Sequence, residues 1–138
     1  MRNPGYGGRW NAKGTRLVYG AKQLSLACLE LLVHADLRNL PGDLQAIALD
    51  IPDGVSRKVL AANALPAGWD QVPGPQALKV IGSAWAALKA EAILLVPSAI
   101  IPEEANYLIN PDHPDAARIE LHPPRPFSFD RRLGAATG

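Results

Sequence analysis

The sequence predicts an α+β fold in a single domain, and three observations support this. The chain has 138 residues, which is the size of one ordinary domain with one hydrophobic core. Helical and strand patterns mix along it without the regular βαβ alternation of a doubly wound parallel sheet. Its thirteen prolines and twelve glycines are spread out, which indicates many tight connections and not an interdomain linker. We therefore expect residues 1–138 to form one domain of mixed sheets with packed helices.

Four segments show strand patterns. Thr15–Tyr19 carries β-branched and aromatic residues and is followed by a glycine. In Leu44–Ile51 apolar residues alternate towards the end of the run, and a proline follows directly. Ala92–Val96 is a short apolar run, and Arg118–His122 is predicted as the last strand.

Helical patterns occur in three segments. The strongest is Gln76–Lys89, where Pro75 suits the first helical position. Four apolar side chains of this helix recur at three- and four-residue spacing and are predicted to be buried. They are Leu78, Ile81, Trp85 and Leu88. Val55–Asn63 is predicted as a short helix, and Lys22–Leu37 as a longer one without a convincing capping residue at its start.

The helix predicted at Lys22–Leu37 has an unusual distribution of side chains. Gln23, Glu30 and His34 fall within roughly 40° of one another around the axis, and leucines and valines occupy most of the remaining circumference. Such a helix is predicted to be largely buried. Its polar stripe either faces solvent, with Glu30 and His34 forming a pair four residues apart, or directs a carboxylate into a pocket where it stabilises a developing cation.

The segment around Arg9 is a second candidate. Arg9 follows a glycine pair, and glycines allow a backbone to approach a ligand closely while arginine offers a planar fork suited to phosphate. The chain contains no Walker A or dinucleotide-binding fingerprint. A phosphate-binding loop and an ordinary glycine-rich loop therefore both remain possible for this segment.

Taken alone, other polar residues favour structural roles. Tyr19 at the end of a predicted strand is typical of a half-buried core aromatic residue. Ser98 and Asn106 lie in predicted loop segments, where such side chains usually bond to nearby backbone groups. The three histidines have no metal-ligand spacing with one another or with Cys28, which we interpret as a core thiol in a reducing compartment.

Charge and hydropathy exclude several classes of function. A net charge of +1 gives no electrostatic footprint for direct nucleic-acid binding or for an acidic membrane surface. The first fourteen residues are polar and glycine-rich, without the apolar region of a secretory signal. The longest apolar runs are far too short to cross a bilayer. We expect a cytoplasmic protein.

Six blocks together resemble a known family. GGRWNAKGTRLVY is followed by LACLELLVH, LPAGW, IGSAW, LLVPSAIIPEEANYLINPDHPD and RPFSFDRRL. Their content and order are similar to the RES domain, the toxin of bacterial RES-Xre toxin-antitoxin pairs, from about Gly7 to Leu133. The resemblance implies a fold like that of ADP-ribosyltransferases and a cleft for NAD⁺, which is a substrate and not a cofactor; no metal is implied.

The resemblance also assigns residues. The family arginine, tyrosine and glutamate match Arg9, Tyr19 and Glu30, which would carry catalysis, and the family serine and asparagine match Ser98 and Asn106, which would bind substrate. Amides of the loop at Gly8 would hold a phosphate beside Arg9. The implied activity is cleavage of the nicotinamide–ribose bond by hydrolysis or phosphorolysis, and the implied partner is an Xre-type antitoxin that would supply the DNA binding.

Two other functions remain open at this point. The same cleft could transfer ADP-ribose to a cellular protein, or the chain could be an inactive interaction module. Family members usually carry a strand and loop ahead of GGRW, where this sequence has MRNPGY. From this difference we expect a shortened N-terminal part, which could leave the sheet edge and part of the cleft wall incomplete.

Overall fold

The computed structural model describes residues 7–134, so the expectation for the N-terminal MRNPGY falls outside the described residues. Within this range short strands alternate irregularly with helices. The elements in chain order are β1 Val18–Ala21, α1 Leu24–Leu32, β2 Leu44–Ala46, β3 Leu49–Asp50, β4 Arg57–Val59, a 3₁₀ turn Ala62–Ala64, α2 Gln76–Leu88, β5 Ile93–Pro97, β6 Ala105–Ile109, a 3₁₀ turn Pro114–Arg118, β7 Glu120–Leu121, β8 Arg125–Phe127 and α3 Arg131–Gly134. The predicted α+β class, with mixed sheets and packed helices, is confirmed.

A four-stranded sheet forms the centre of the described region. Its strand order is β1-β6-β5-β4, with β6 antiparallel to both neighbours and β4 parallel to β5. The register places Tyr19 opposite Leu108, and Asn106 opposite both Ala21 and Val96. Because paired residues point to the same face of a sheet and faces alternate along a strand, Tyr19 and Asn106 share one face.

The two faces of this sheet bury different clusters. On the face that carries Tyr19, α2 and Trp10 pack over Leu94, Val96 and Leu108. On the opposite face, Val55 and Ala92 pack with Ile93 and Ile109. Ser56 closes that side by donating from its amide and its hydroxyl to Asp115, at 3.0 and 2.9 Å. These two bonds hold the pKa of the half-buried Asp115 carboxyl below its ordinary value.

Helix α2 has the predicted position and almost the predicted buried face. Pro75 is its N-cap, and Leu78 and Trp85 are buried on the sheet, with Ile81 packed beside them. The prediction for Leu88 is wrong, because its side chain is 77% exposed. Leu88 lies in the last turn, about 60° around the axis from Trp85, which places it on the flank of the buried stripe.

Helix α1 departs further from prediction. It spans Leu24–Leu32 and begins at Gln23, which makes no side-chain capping bond. The prediction that it is largely buried is wrong, since within residues 24–32 Leu26 alone is buried. Its leucines and the residues after it leave large apolar side chains exposed: Leu24, Leu29, Leu31, Val33 and Leu37. Cys28 is partly and not fully buried, so the prediction of a core thiol holds only in part. This burial raises the pKa of its thiol.

The strand predictions agree in part. Val18–Ala21 and Ile93–Pro97 lie close to the predicted positions, whereas the segment predicted as one strand at Leu44–Ile51 divides into β2 and β3, which pair with β8 and β7. A strand follows the one predicted to be last.

The prediction of a short helix at Val55–Asn63 is wrong. Arg57–Val59 is strand β4, and the helical part is limited to the 3₁₀ turn that follows it. Pairing with the buried strand β5 gives this segment backbone hydrogen bonds that its own sequence does not specify.

No helix within residues 7–134 is long and apolar enough to span a lipid bilayer.

Candidate active site

Arg9 lies at the tip of a tight turn. The amide of Gly8 donates to the carbonyl of Asn11 at 3.0 Å, so Arg9 and Trp10 are the two central residues. Trp10 is buried in the core under α2, and the amide of Ala12 donates to the Ser83 hydroxyl at 3.1 Å. The core and α2 thereby fix a turn whose glycine-rich sequence would otherwise be mobile. Because the Gly8 amide closes the turn, it is not free to bind an anion.

Tyr19 holds the same turn from the sheet. Its phenol oxygen accepts a hydrogen bond from the Trp10 amide at 3.1 Å and donates to the side-chain carbonyl of Asn11. Asn11 in turn donates from Nδ2 to the carbonyl of Thr15 at 2.7 Å and is 1% exposed. Tyr19 is thus bonded to the Arg9 turn and is more than a core aromatic residue.

The Arg9 side chain reaches across to the loop before α2. Its Nη1 atom donates to the carbonyl of Trp69 at 2.9 Å and to that of Gln71 at 3.1 Å. Both hydrogens of Nη1 are therefore used. Within residues 7–134 the Nε and Nη2 groups of Arg9 have no hydrogen-bond partner, so one edge of the guanidinium remains available to a ligand.

Glu30 on α1 meets Asn106 on β6. The Asn106 amide nitrogen donates to Oε2 of Glu30, and this contact joins residues 76 positions apart in the chain. Helix α1 ends before His34, which is exposed, so the partner of Glu30 is Asn106 and not the histidine four residues on. The carboxylate therefore contacts the sheet and does not form the pair with His34 that the solvent-facing alternative required, whereas its placement in a substrate pocket stays a prediction.

Asn106 has an unsatisfied atom. Its side-chain oxygen Oδ1 is buried and has no hydrogen-bond partner within the described part of the chain. An unpaired buried acceptor is costly, commonly about 1–3 kcal/mol, and such groups concentrate at functional sites. The unpaired buried oxygen therefore points to a functional role for Asn106 that its neighbouring residues in the sequence do not indicate.

The sheet register brings these side chains to one side of the molecule. Tyr19 and Asn106 are diagonal neighbours on adjacent strands, a relation that places the two residues about 7–8 Å apart, with their Cβ atoms somewhat closer. Glu30 is bonded to Asn106, and the Arg9 turn is bonded to Tyr19. A loop, a strand, a helix and a second strand thus contribute Arg9, Tyr19, Glu30 and Asn106 to one region.

Ser98 has a different environment. It is fully buried directly after β5, and its hydroxyl accepts hydrogen bonds from the amides of Ile100 and Ile101, both at 3.1 Å. These bonds shape the loop that leads into β6. The structure does not bring the Ser98 hydroxyl to the surface beside Glu30, and substrate contact by Ser98 stays a prediction.

A shallow cavity of about 220 Å³ lies at the edge of this region. It is lined by Val59 and Leu60 at the end of β4 and by Pro97 and Ala105, which are the chain neighbours of Ser98 and Asn106. Its volume is below the range of about 300–1,000 Å³ typical of small-molecule pockets. None of the four residues Arg9, Tyr19, Glu30 and Asn106 lines it, so it is not a complete pocket for a substrate of these residues.

Within the part of the chain that the structure describes, no group of three or more histidine, cysteine, aspartate or glutamate side chains is placed to hold a metal ion.

Two residues important to this geometry carried no signal of their own in the sequence. Asn11 follows Arg9 and Trp10 in a loop, and its burial and bond to Tyr19 arise from tertiary contacts. Gly74, in the loop before α2, lies against the Arg9 guanidinium. The spacing of neither residue follows a periodic pattern that could have identified it.

Comparisons with known proteins identify the family of this chain. Residues 2–130 match the family model described as the RES domain. The chain is 43% identical over 129 residues to a protein of Sphingobium sp. (strain YBL2) named "Prs ADP-ribosylating toxin", covering 92% of this chain and 80% of the relative. It is 36% identical over 129 residues to "Toxin Res" of Yersinia enterocolitica, covering 93% and 84%, and 35% identical over 130 residues to "Toxin Res" of Pseudomonas putida, covering 91% and 85%. The chain belongs to the RES domain family, whose fold is like that of ADP-ribosyltransferases.

Proposed function

We propose that this protein is the toxin of a toxin-antitoxin pair and that it cleaves the bond between nicotinamide and ribose in NAD⁺. The observation that carries the proposal is the Glu30 carboxylate, held by Asn106 on the sheet face that also bears Tyr19 and the Arg9 turn. Membership of the RES domain family and relatives named as toxins support the same conclusion.

Glu30 is suited to the electrostatic part of this reaction. Loss of nicotinamide leaves positive charge on the ribose ring, in a transition state resembling that of glycoside cleavage. Asn106 holds Oε2, while Oε1 has no partner within residues 7–134 and can accept from the ribose hydroxyls. A carboxylate fixed in this way stabilises the developing cation by roughly 3 kcal/mol, by analogy with other preorganised contacts.

Arg9 is assigned to the phosphate groups. Its Nη1 atom is held by two loop carbonyls, so the Nε and Nη2 groups can bind two oxygens of one phosphate in the fork geometry that arginine favours. The phosphate belongs either to the pyrophosphate of NAD⁺ or to an inorganic phosphate that attacks the ribose.

Tyr19 acts mainly by placing the Arg9 turn relative to the sheet. The hydroxyl is bonded to the Trp10 amide and the Asn11 side chain, so its proton is engaged in holding the turn. The ring remains beside Asn106 on the same face, where it can position the nicotinamide ribose. Ser98 supports the loop entering β6, which keeps Asn106 in register with β5.

ADP-ribosylation of a cellular protein is the second candidate. The observation that favours it is the name of the 43% identical relative, which is an ADP-ribosylating toxin. Both reactions share cleavage of the nicotinamide–ribose bond and differ in the acceptor, which is water or phosphate in one and a protein side chain in the other.

The proposed partner is an antitoxin of the Xre type. A net charge of +1 supports a division of labour in which the antitoxin contacts DNA and this chain does not. The proposed site of action is the cytoplasm, where NAD⁺ is abundant.

The test is to incubate purified protein with NAD⁺, with and without inorganic phosphate, and to identify products by mass. ADP-ribose indicates hydrolysis, ADP-ribose 1″-phosphate indicates phosphorolysis, and label from NAD⁺ on a cell protein indicates transfer. Glu30→Gln removes the charge and keeps the shape, so we expect it to lower the rate by about 100-fold or more.

The matched control is Glu120→Gln, which makes the same change at an exposed position on β7 and is expected to leave the rate unchanged. Circular dichroism should show that both variants fold. NAD⁺ that persists under every condition at high protein concentration would contradict the proposal.

A further inference from the structure

Gly74 lies so close to the Arg9 guanidinium that a side chain at position 74 would overlap with it. A Cβ atom built on Gly74 would be 2.5 Å from Nη1 of Arg9 and 3.3 Å from Cζ, well inside van der Waals contact. The backbone of Gly74 is outside the left-handed region, so its conformation does not require glycine. The close approach of the guanidinium is therefore the reason for a residue without a side chain at this position.

Leu78 also limits the space at Gly74. The same Cβ would lie 3.4 Å from Leu78, which is fully buried on α2. The carbonyls of Trp69 and Gln71 hold Nη1 in the same loop. Two carbonyls and one glycine thus form a seat for one end of the Arg9 side chain.

This seat determines which edge of the guanidinium is presented. With both Nη1 hydrogens bonded to the loop, the edge formed by Nε and Nη2 is the one that can bind two oxygens of a phosphate group. A displacement of about 1 Å would break at least one loop bond and rotate that edge, and such misplacement commonly costs an enzyme a large part of its rate.

We propose that Gly74 is a positioning residue for phosphate recognition: by admitting the Arg9 guanidinium against the loop carbonyls, it aims the Nε/Nη2 edge at a phosphate group. The inference rests on the proposed function for the identity of the ligand. The phosphate comes either from the pyrophosphate of NAD⁺ or from free inorganic phosphate, and kinetics distinguishes the two sources.

Gly74→Ala tests this directly. The added methyl group meets the end of a flexible side chain, so the guanidinium moves and the fold is retained; alanine at a permissive backbone position also reduces the entropy of the unfolded chain. We expect the melting temperature to stay the same or rise. We also expect the KM for NAD⁺ to increase about tenfold if Arg9 holds the pyrophosphate, or the KM for phosphate to increase by that factor if it holds the attacking phosphate.

Two comparisons separate positioning from general disturbance. Gly42→Ala is the matched control, because a Cβ there meets nothing within 4 Å and the backbone is again outside the left-handed region. In an Arg9→Ala background Gly74→Ala should have no further effect on KM, since the group that it displaces is gone. Equal KM values for Gly74→Ala and the unchanged protein, or a full additional effect in the Arg9→Ala background, would overturn the inference.

A second readout does not depend on catalysis. The Nε–H signal of Arg9 in a ¹H–¹⁵N spectrum, assigned by its loss in Arg9→Lys, should shift in Gly74→Ala and stay unchanged in Gly42→Ala. An unshifted signal rejects the inference whatever the activity. If the signal shifts but the unchanged protein never consumes NAD⁺, the proposed function fails while the placement of Arg9 by Gly74 stands.

Discussion

Helices α1 and α2 are similar in apolar content and differ in what they do for the protein. Within its thirteen residues α2 buries Leu78, Gly82, Trp85 and Ala86 on the central sheet. Within its nine residues α1 buries Leu26 and leaves neighbouring leucines exposed, but it carries Glu30. The core therefore depends on α2, and the candidate catalytic carboxylate is carried by α1.

The position of each helix relative to the sheet explains this difference. Helix α2 lies over β5 and β6, the two inner strands, so side chains on its inner face meet Leu94, Val96 and Leu108. Helix α1 follows β1, an edge strand, after a two-residue connection. A short helix beside an edge strand has less apolar surface to cover than one over the middle of the sheet.

The largest effect is expected from Gly82→Ala in α2. A Cβ atom there would lie 1.8 Å from the carbonyl oxygen of Trp10, a backbone atom that cannot move without shifting the Arg9 turn. We expect a loss of about 3 kcal/mol or more in the free energy of unfolding, at the upper end of overpacking effects. Chemical denaturation measures it, and Gly42→Ala is the control. A variant as stable as the unchanged protein would show that α2 and the turn are not packed as described.

A smaller effect is expected within α1, from two leucines of the same helix. Leu26→Ala should cost about 2–3 kcal/mol, the lower part of the range for a buried leucine, because exposed neighbours on α1 can relax around the cavity. Leu31 is 43% exposed, so Leu31→Ala should cost much less, about 1 kcal/mol or below. Denaturant midpoints of the two variants provide the comparison. Equal losses would mean that the outer side of α1 is covered in the isolated protein, for example by a second copy.

The smallest effect concerns Cys28, on the same helix. Partial burial raises the pKa of its thiol, so a smaller fraction is in the reactive thiolate form at pH 8 than in the unfolded chain. We expect alkylation by iodoacetamide to be several times slower in the native protein than in denaturant, with the native rate continuing to rise to higher pH. Rates measured from pH 7 to 10 test this, and a native profile that levels off at lower pH than the denatured one is the contrary result.

Local periodicity predicted the positions of α2 and β5 well. The apolar residues of α2 pack on the central sheet, and those of β5 are buried within that sheet, as their patterns predicted. It failed at Arg57–Val59, where pairing with β5 replaces the predicted helix. It also failed for the burial of α1, since an apolar circumference shows what a helix could bury and not what packs against it. Periodicity shows how apolar and polar side chains are arranged around one helix or strand, whereas the burial of those side chains depends on the elements that pack against it.

The candidate site divides along the same line. Sequence patterns alone were sufficient to predict the α+β class, and the family resemblance was sufficient to select Arg9, Tyr19 and Glu30. The bond of Asn106 to Glu30, the bond of Asn11 to Tyr19 and the close approach of Gly74 to the Arg9 guanidinium are seen only in the folded chain. Hydrogen bonds and close contacts between residues far apart in the chain depend on sheet register and loop packing, and no local pattern encodes either of these.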